Sequence, residues 1–98
     1  MKAIWENQII AESDETVVIE GNHYFPTASI KKEYLDESDH TSLCPWKGEA
    51  HYYDIVVDEK RNNNAAWFYP LPKEGSVERV GKDFANYVAF WKGVEVVA

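Results

Sequence analysis

The chain has 98 residues, 45% of them apolar and 14% aromatic, and a formal charge of −7 from 10 Lys and Arg against 17 Asp and Glu. That length is one domain, expected over residues 1–98; it buries roughly 65% of its unfolded surface, and the aromatic content argues against disorder. No apolar run approaches the about 18 residues of a membrane helix, Glu6 interrupts any leader-like apolar start, and the acidity opposes nucleic-acid and anionic-membrane binding, so a soluble, cytoplasmic protein is expected.

Strand signals dominate the first third. Ala3-Ile4-Trp5 and Ile9 to Ser13 flank the polar trio Glu6-Asn7-Gln8, which predicts a short hairpin. After a turn at Asp14-Glu15, the β-branched run Thr16 to Glu20 predicts a third strand, and Gly21-Asn22 permits another reversal, so a meander is expected. His23-Tyr24-Phe25 is extended because Pro26 disfavours helix in its predecessor. Pro26 to Lys31 predicts one helical turn with Thr27 or Ser29 as its cap. Glu33-Tyr34-Leu35 is ambiguous between strand and helix, and the polar run Asp36 to Ser42 is read as a loop.

Cys44-Pro45-Trp46-Lys47-Gly48 is a compact turn into a long strand, Glu49 to Val57. Its alternation puts Ala50, Tyr52, Asp54 and Val56 on one face, and Glu49, His51, Tyr53, Ile55 and Val57 on the other. Asp58 to Asn64 is read as a solvated reversal, and Ala65 to Tyr69 as the returning strand, ended by Pro70-Leu71-Pro72. Val77 to Phe84 has room for a helical turn. Tyr87 to Trp91 and Val94 to Val97, around Lys92-Gly93, predict a closing hairpin. The expected fold is mainly β: one compact antiparallel domain of roughly eight strands, a small barrel, roll or folded sheet, with one or two short helical turns.

The chemistry-bearing residues gather around the turn. Tyr52, Trp67 and Tyr69, beside Ala50, Ala65 and Ala66, either fill an ordinary aromatic core or wall a flat cavity. Tyr24 and Glu33 are expected at the rim of such a pocket, with Cys44, Trp46, Lys47 and Gly48 closing one end. Lys47 either anchors a polar group or snorkels to solvent. Glu33 either anchors the same group, pairs with Lys47 or lies on the surface. Cys44 is the only cysteine, which excludes an internal disulfide and a multi-cysteine zinc site. It reads either as a thiolate nucleophile activated by Lys47 or a histidine, or as a small buried residue beside a proline turn. His23, His40 and His51 lack metal-ligand spacing, and Asp36-Glu37-Ser38-Asp39 lacks the glycine and terminal glutamate of a calcium loop, so neither metal nor cofactor is expected.

Thr41-Ser42-Leu43-Cys44-Pro45-Trp46-Lys47-Gly48-Glu49-Ala50-His51-Tyr52-Tyr53 resembles the signature of the domain-of-unknown-function family 427. Ile10-Ala11-Glu12-Ser13, Tyr24-Phe25-Pro26, Ala65 to Pro70 and Gly81 to Phe90 resemble its other pieces in order, so the resemblance spans nearly the whole chain. It implies a β-rich fold similar to tent-like folds that bind small ligands between two sheets; the paired cysteine knuckles of zinc-holding relatives are absent here. Some catalogues attach a nucleotidyltransferase label to that family, yet this chain has no Gly-rich phosphate loop and the family motif has no paired-carboxylate signature for magnesium. Three readings follow: a non-catalytic small-molecule-binding domain, an interaction module anchored by Trp5 or Trp91, or a hydrolase or transferase acting through Cys44 or through Glu33 with Lys47.

Overall fold

Residues in the left-handed region decide where this chain reverses. Glu6 and Asn7, at φ 49° and 63°, join β1 (Lys2–Trp5) to β2 (Gln8–Glu12). Glu20 and Gly21, at 54° and 82°, join β3 (Val17–Ile19) to β4 (Asn22–Tyr24). Two successive positive φ angles match the right-handed twist of antiparallel strands. The computed structural model describes residues 1–98 throughout. Pro26 leads into a 3-10 turn at Thr27–Ser29, and a second covers Lys32–Tyr34. The expected side-chain cap does not form, because both hydroxyls are used elsewhere: Ser29 donates to the Pro26 carbonyl at 2.6 Å and Thr27 to the Asn86 carbonyl at 2.8 Å. Then come β5 (Leu35–Cys44), β6 (Gly48–Val57), β7 (Lys60–Phe68), the short helix α1 (Ser76–Val80), β8 (Val88–Phe90) and β9 (Glu95–Val97).

The strands form three antiparallel sheets ordered β2-β1-β9, β3-β4 and β5-β6-β7-β8, with no closed barrel. Reciprocal bonds between Phe25 and Val88 (N···O 2.8 and 2.9 Å) tie the segment after β4 to β8. Four sequence expectations are corrected. β3 pairs with β4 rather than β2, so the meander stops after one hairpin. Asp36–Ser42 is a strand, not a loop. The reversal before β7 is the two-residue Asp58-Glu59 turn, with Val57 opposite Lys60. β8 and β9 are not a hairpin: they join different sheets, and Trp91 N instead donates to the Ala65 carbonyl at 3.0 Å.

The register explains why β5 escapes a pattern reading. Glu37 faces Tyr53 and Thr41 faces His51, so Ser38 to His40 bulge out of β5. Across β6, Asn62 faces Ile55 and Ala66 faces Tyr53, so β7 bulges as well. The two bulges are tied together: Ser38 Oγ donates to Asn64 Oδ1 at 2.5 Å, and Asn64 N donates to Asp54 Oδ1 at 2.8 Å. Arg61 bridges Asp54 and Asp36, 2.7 Å to each. Bulges re-aim side chains and increase twist. Here they separate the polar end of β7, Lys60 to Asn64, from its apolar and aromatic end, Ala65 to Phe68.

Opposite faces of the four-stranded sheet build two apolar clusters, as a period of two requires. Tyr53, Ile55, Val57, Ala66, Phe68, Val88 and Phe90 belong to one cluster, completed by Ala3, Ile10 and Phe25. Ala50, Tyr52, Trp67, Tyr69 and Ala89 belong to the other, completed by Ile19, Tyr24 and Phe84. The alternation expected for β6 therefore holds on both sides of the sheet.

Candidate functional site

The aromatic face of the sheet is not solidly filled. Lys47, Tyr52, Trp67, Tyr69 and Trp91 wall an open hollow of about 190 Å³. Small residues make room for it: Ala50 and Ala89, on the same face, are 1% and 0% exposed. Beneath it the rings pack edge to face. Tyr24 meets Trp67 at 6.1 Å and 89°, and Tyr69 meets Phe84 at 6.0 Å and 84°. Trp67 Nε1 donates to the Tyr24 hydroxyl at 3.0 Å, which fixes the tilt of the indole. Trp91 closes the wall, 5.7 Å from Trp67, with its own Nε1 held on the Asn64 carbonyl at 2.6 Å. At the rim, Tyr52 shares a 2.8 Å hydrogen bond with Ser42 and packs against the His40 ring at 4.6 Å.

Lys47 is the one charged residue of the wall, and it is only 6% exposed. The β5–β6 connection puts it there. Cys44 pairs with Gly48 across a three-residue turn, and Lys73 N donates to the Lys47 carbonyl at 2.8 Å. The ammonium donates to Glu20 Oε1 and lies 5.4 Å from the ring centres of both Trp46 and Tyr69. The Arg79 guanidinium also lies over the Trp46 ring, 4.2 Å from its centre. Burial alone pushes the Lys47 ammonium down, but the Glu20 hydrogen bond, with the neighbouring Tyr24 and Tyr69 phenols, moves it above its ordinary value. The same hydrogen bond and the Lys47 charge hold Glu20 below the usual carboxylate value. Burial raises the phenols of Tyr24 and Tyr69. A lysine held protonated is a hydrogen-bond donor and a fixed charge; it is a poor base or amine nucleophile.

The sign of the pH dependence follows. Glu20 titrates below its ordinary 4.5, so its contribution is full above that value and disappears as pH falls through the depressed one. Lys47 titrates above its ordinary 10.5, so its contribution is full below that value and disappears only as pH rises beyond it. Glu20→Gln is expected to flatten the acid limb of the thermal midpoint as pH falls below the ordinary carboxylate value of 4.5. The change is small, because the carboxylate is half-exposed and screened, and it shrinks further in molar salt. Melts of both proteins at stepped pH check it.

Of the residues expected at the site, Lys47, Tyr52, Trp67 and Tyr69 meet in the wall. Tyr24 is fully buried under it rather than at its rim, because its hydroxyl serves Trp67. Gly48 is buried in the turn. Trp46 and Cys44 pack against the same cluster without lining the hollow, and Cys44 is a half-buried free thiol. Glu33 is exposed on the second 3-10 turn and does not pair with Lys47, whose partner is Glu20. Trp5 packs against the other cluster. Trp91 is 46% exposed, as expected of a surface aromatic, and it also lines the hollow. Glu20, Arg79 and Trp91 were missed. Trp91 had a partial signal: in a strand over Tyr87 to Trp91 it shares a face with Ala89, and the structure pairs Ala89 with Trp67. No three His, Cys, Asp or Glu side chains come together to hold a metal.

A larger depression of about 370 Å³ lies on the other face, between Thr27, Ile30, Lys32, Leu35, Glu37, Tyr53, Asn86 and Val88. Its Thr27 hydroxyl and Asn86 carbonyl already satisfy each other. It lacks a buried charge, and the ring-lined hollow is the better-built site.

The sequence profile described as "Domain of unknown function (DUF427)" matches residues 1–98, the whole chain. The chain belongs to the DUF427 family. No curated protein matches it significantly. The segment Cys44-Pro45-Trp46-Lys47-Gly48 of this DUF427 chain is the turn that delivers Lys47 to the hollow. No helix of this DUF427 chain is long and apolar enough to cross a membrane.

Proposed function

We propose that this DUF427 chain is a non-catalytic binding domain whose ligand is a small flat molecule seated against Trp67. One observation carries the reading: a lysine ammonium only 6% exposed borders a hollow otherwise walled by four aromatic rings. Large rings beside alanines supply flat apolar walls, and a single convergent polar group supplies orientation. A volume of about 190 Å³ is below the roughly 300 Å³ floor of drug-sized pockets, so the ligand is of single-ring size rather than a nucleotide.

The test is a single-ring fragment screen on the full chain, read by tryptophan fluorescence and thermal shift. Binders are expected whose signals Trp67→Phe weakens and Trp91→Ala reduces further. A screen in which every fragment leaves both readouts unchanged to millimolar concentration overturns the reading.

A further inference from the structure

We infer that the hollow selects an uncharged hydrogen-bond acceptor carried on a flat ring, an aryl amide or lactam, and rejects both anions and cations; this rests on the binding reading above. An ammonium carries three N–H donors. Lys47 spends one on Glu20, its one close hydrogen bond; the Tyr24 and Tyr69 hydroxyls are looser polar neighbours, and the ammonium is otherwise buried against the faces of Trp46 and Tyr69. Ring faces hold a cation without absorbing its directed donors. A carbonyl oxygen entering along the wall therefore finds a charged donor already fixed in place, at no added cost in net charge.

Glu20 makes the selection against anions. It neutralises Lys47 by direct contact, so a ligand carboxylate at the same ammonium would put two like charges within a few ångströms. The chain's charge of −7 adds to that opposition. A ligand cation would face Lys47 itself. Glu20 reaches the site from the β3–β4 turn at φ 54°, a conformation unfavourable for a glutamate where Asn or Gly is preferred. It is half-exposed, so it can be changed without opening the core.

Benzamide, benzoate, benzylammonium and toluene, titrated into the full chain with the indole N–H signals of Trp67 and Trp91 followed by NMR, separate the possibilities. Benzamide is expected to bind roughly tenfold or more tighter than the other three, the discrimination of one hydrogen bond to a charged group. In Glu20→Gln, Lys47 loses its counter-charge, and benzoate is expected to overtake benzamide. Toluene equalling benzamide overturns the acceptor selection and leaves the binding reading standing. Benzoate binding tightest in the unaltered protein, or an unchanged order in Glu20→Gln, overturns the role of Glu20. If no probe moves either indole signal, the binding reading itself falls.

Discussion

Gly48→Ala is expected to lower stability by about 3 kcal/mol, and with it the thermal midpoint by roughly 12–24 °C. Two costs act together. At φ +112° the residue lies in a region that side chains strongly disfavour. The added Cβ would also meet the Leu71 carbonyl oxygen at 3.2 Å and Lys73 N at 3.3 Å, both backbone atoms. That backbone cannot yield cheaply, because Lys73 is held twice: its N–H donates to the Lys47 carbonyl and its Nζ to the Pro45 carbonyl, each at 2.8 Å. Asparagine would not rescue the site, since the left-handed well it tolerates centres near 57° rather than 112°. Gly93→Ala is the control: φ is +86° and nothing lies within 4 Å, so only backbone strain of about 1 kcal/mol applies. Near-UV circular dichroism melts of the two variants decide the matter; equal losses would refute the close-approach account. The consequence reaches the site, because the turn that Gly48 closes is the turn that presents Lys47.

How much of this could be read in advance depends on how local each cause is. Strands β1, β2, β6 and the aromatic end of β7 were legible, because their turn residues and period of two are properties of neighbouring residues. The same period put Tyr52 on the Ala50 face and Trp67 with Tyr69, which is most of the wall. β5 was illegible because it is an edge strand with most of its side chains in water. Its residues Asp36 to Ser42 therefore carry the composition of a loop, and their extended form comes from β6 and from Arg61. Charges at an exposed edge also discourage pairing with other chains. The positive φ angles of Lys92 and Gly93, 54° and 86°, do turn the chain, as Lys-Gly suggested. A turn says that the chain reverses and not which strand it will meet, and β9 goes to β1. Charge alone offers Glu33 either a pairing with Lys47 or the surface, and the structure leaves it exposed without that pairing. The partner of Lys47 is instead Glu20, 27 residues away in sequence, and only the closure of the β3–β4 hairpin against the turn brings it there.

Trp67→Ala is expected to cost about 3 kcal/mol of stability, the low end of the range for a buried aromatic because this ring is only half-buried, and to abolish any binding in the hollow. The indole is shared between two tasks: it packs in T-shaped contacts with Tyr24 and Trp91, and its N–H satisfies a hydroxyl on a residue with 0% exposure. Truncation therefore confounds lost packing with an orphaned hydroxyl, and a cycle of conservative changes separates them. Trp67→Phe keeps a ring but removes the donor, leaving the Tyr24 oxygen without its indole partner, for a cost of about 1–3 kcal/mol beyond the smaller ring volume. Tyr24→Phe leaves the indole N–H unpaired at a similar cost. In the double variant neither polar group remains, so its loss is expected to be smaller than the sum of the two single losses by about 1 kcal/mol or more. Urea unfolding of the four proteins measures the coupling. Strict additivity would mean that the 3.0 Å contact contributes nothing to the wall's rigidity, and that the tilt of Trp67, hence the shape of the hollow, is set by packing alone.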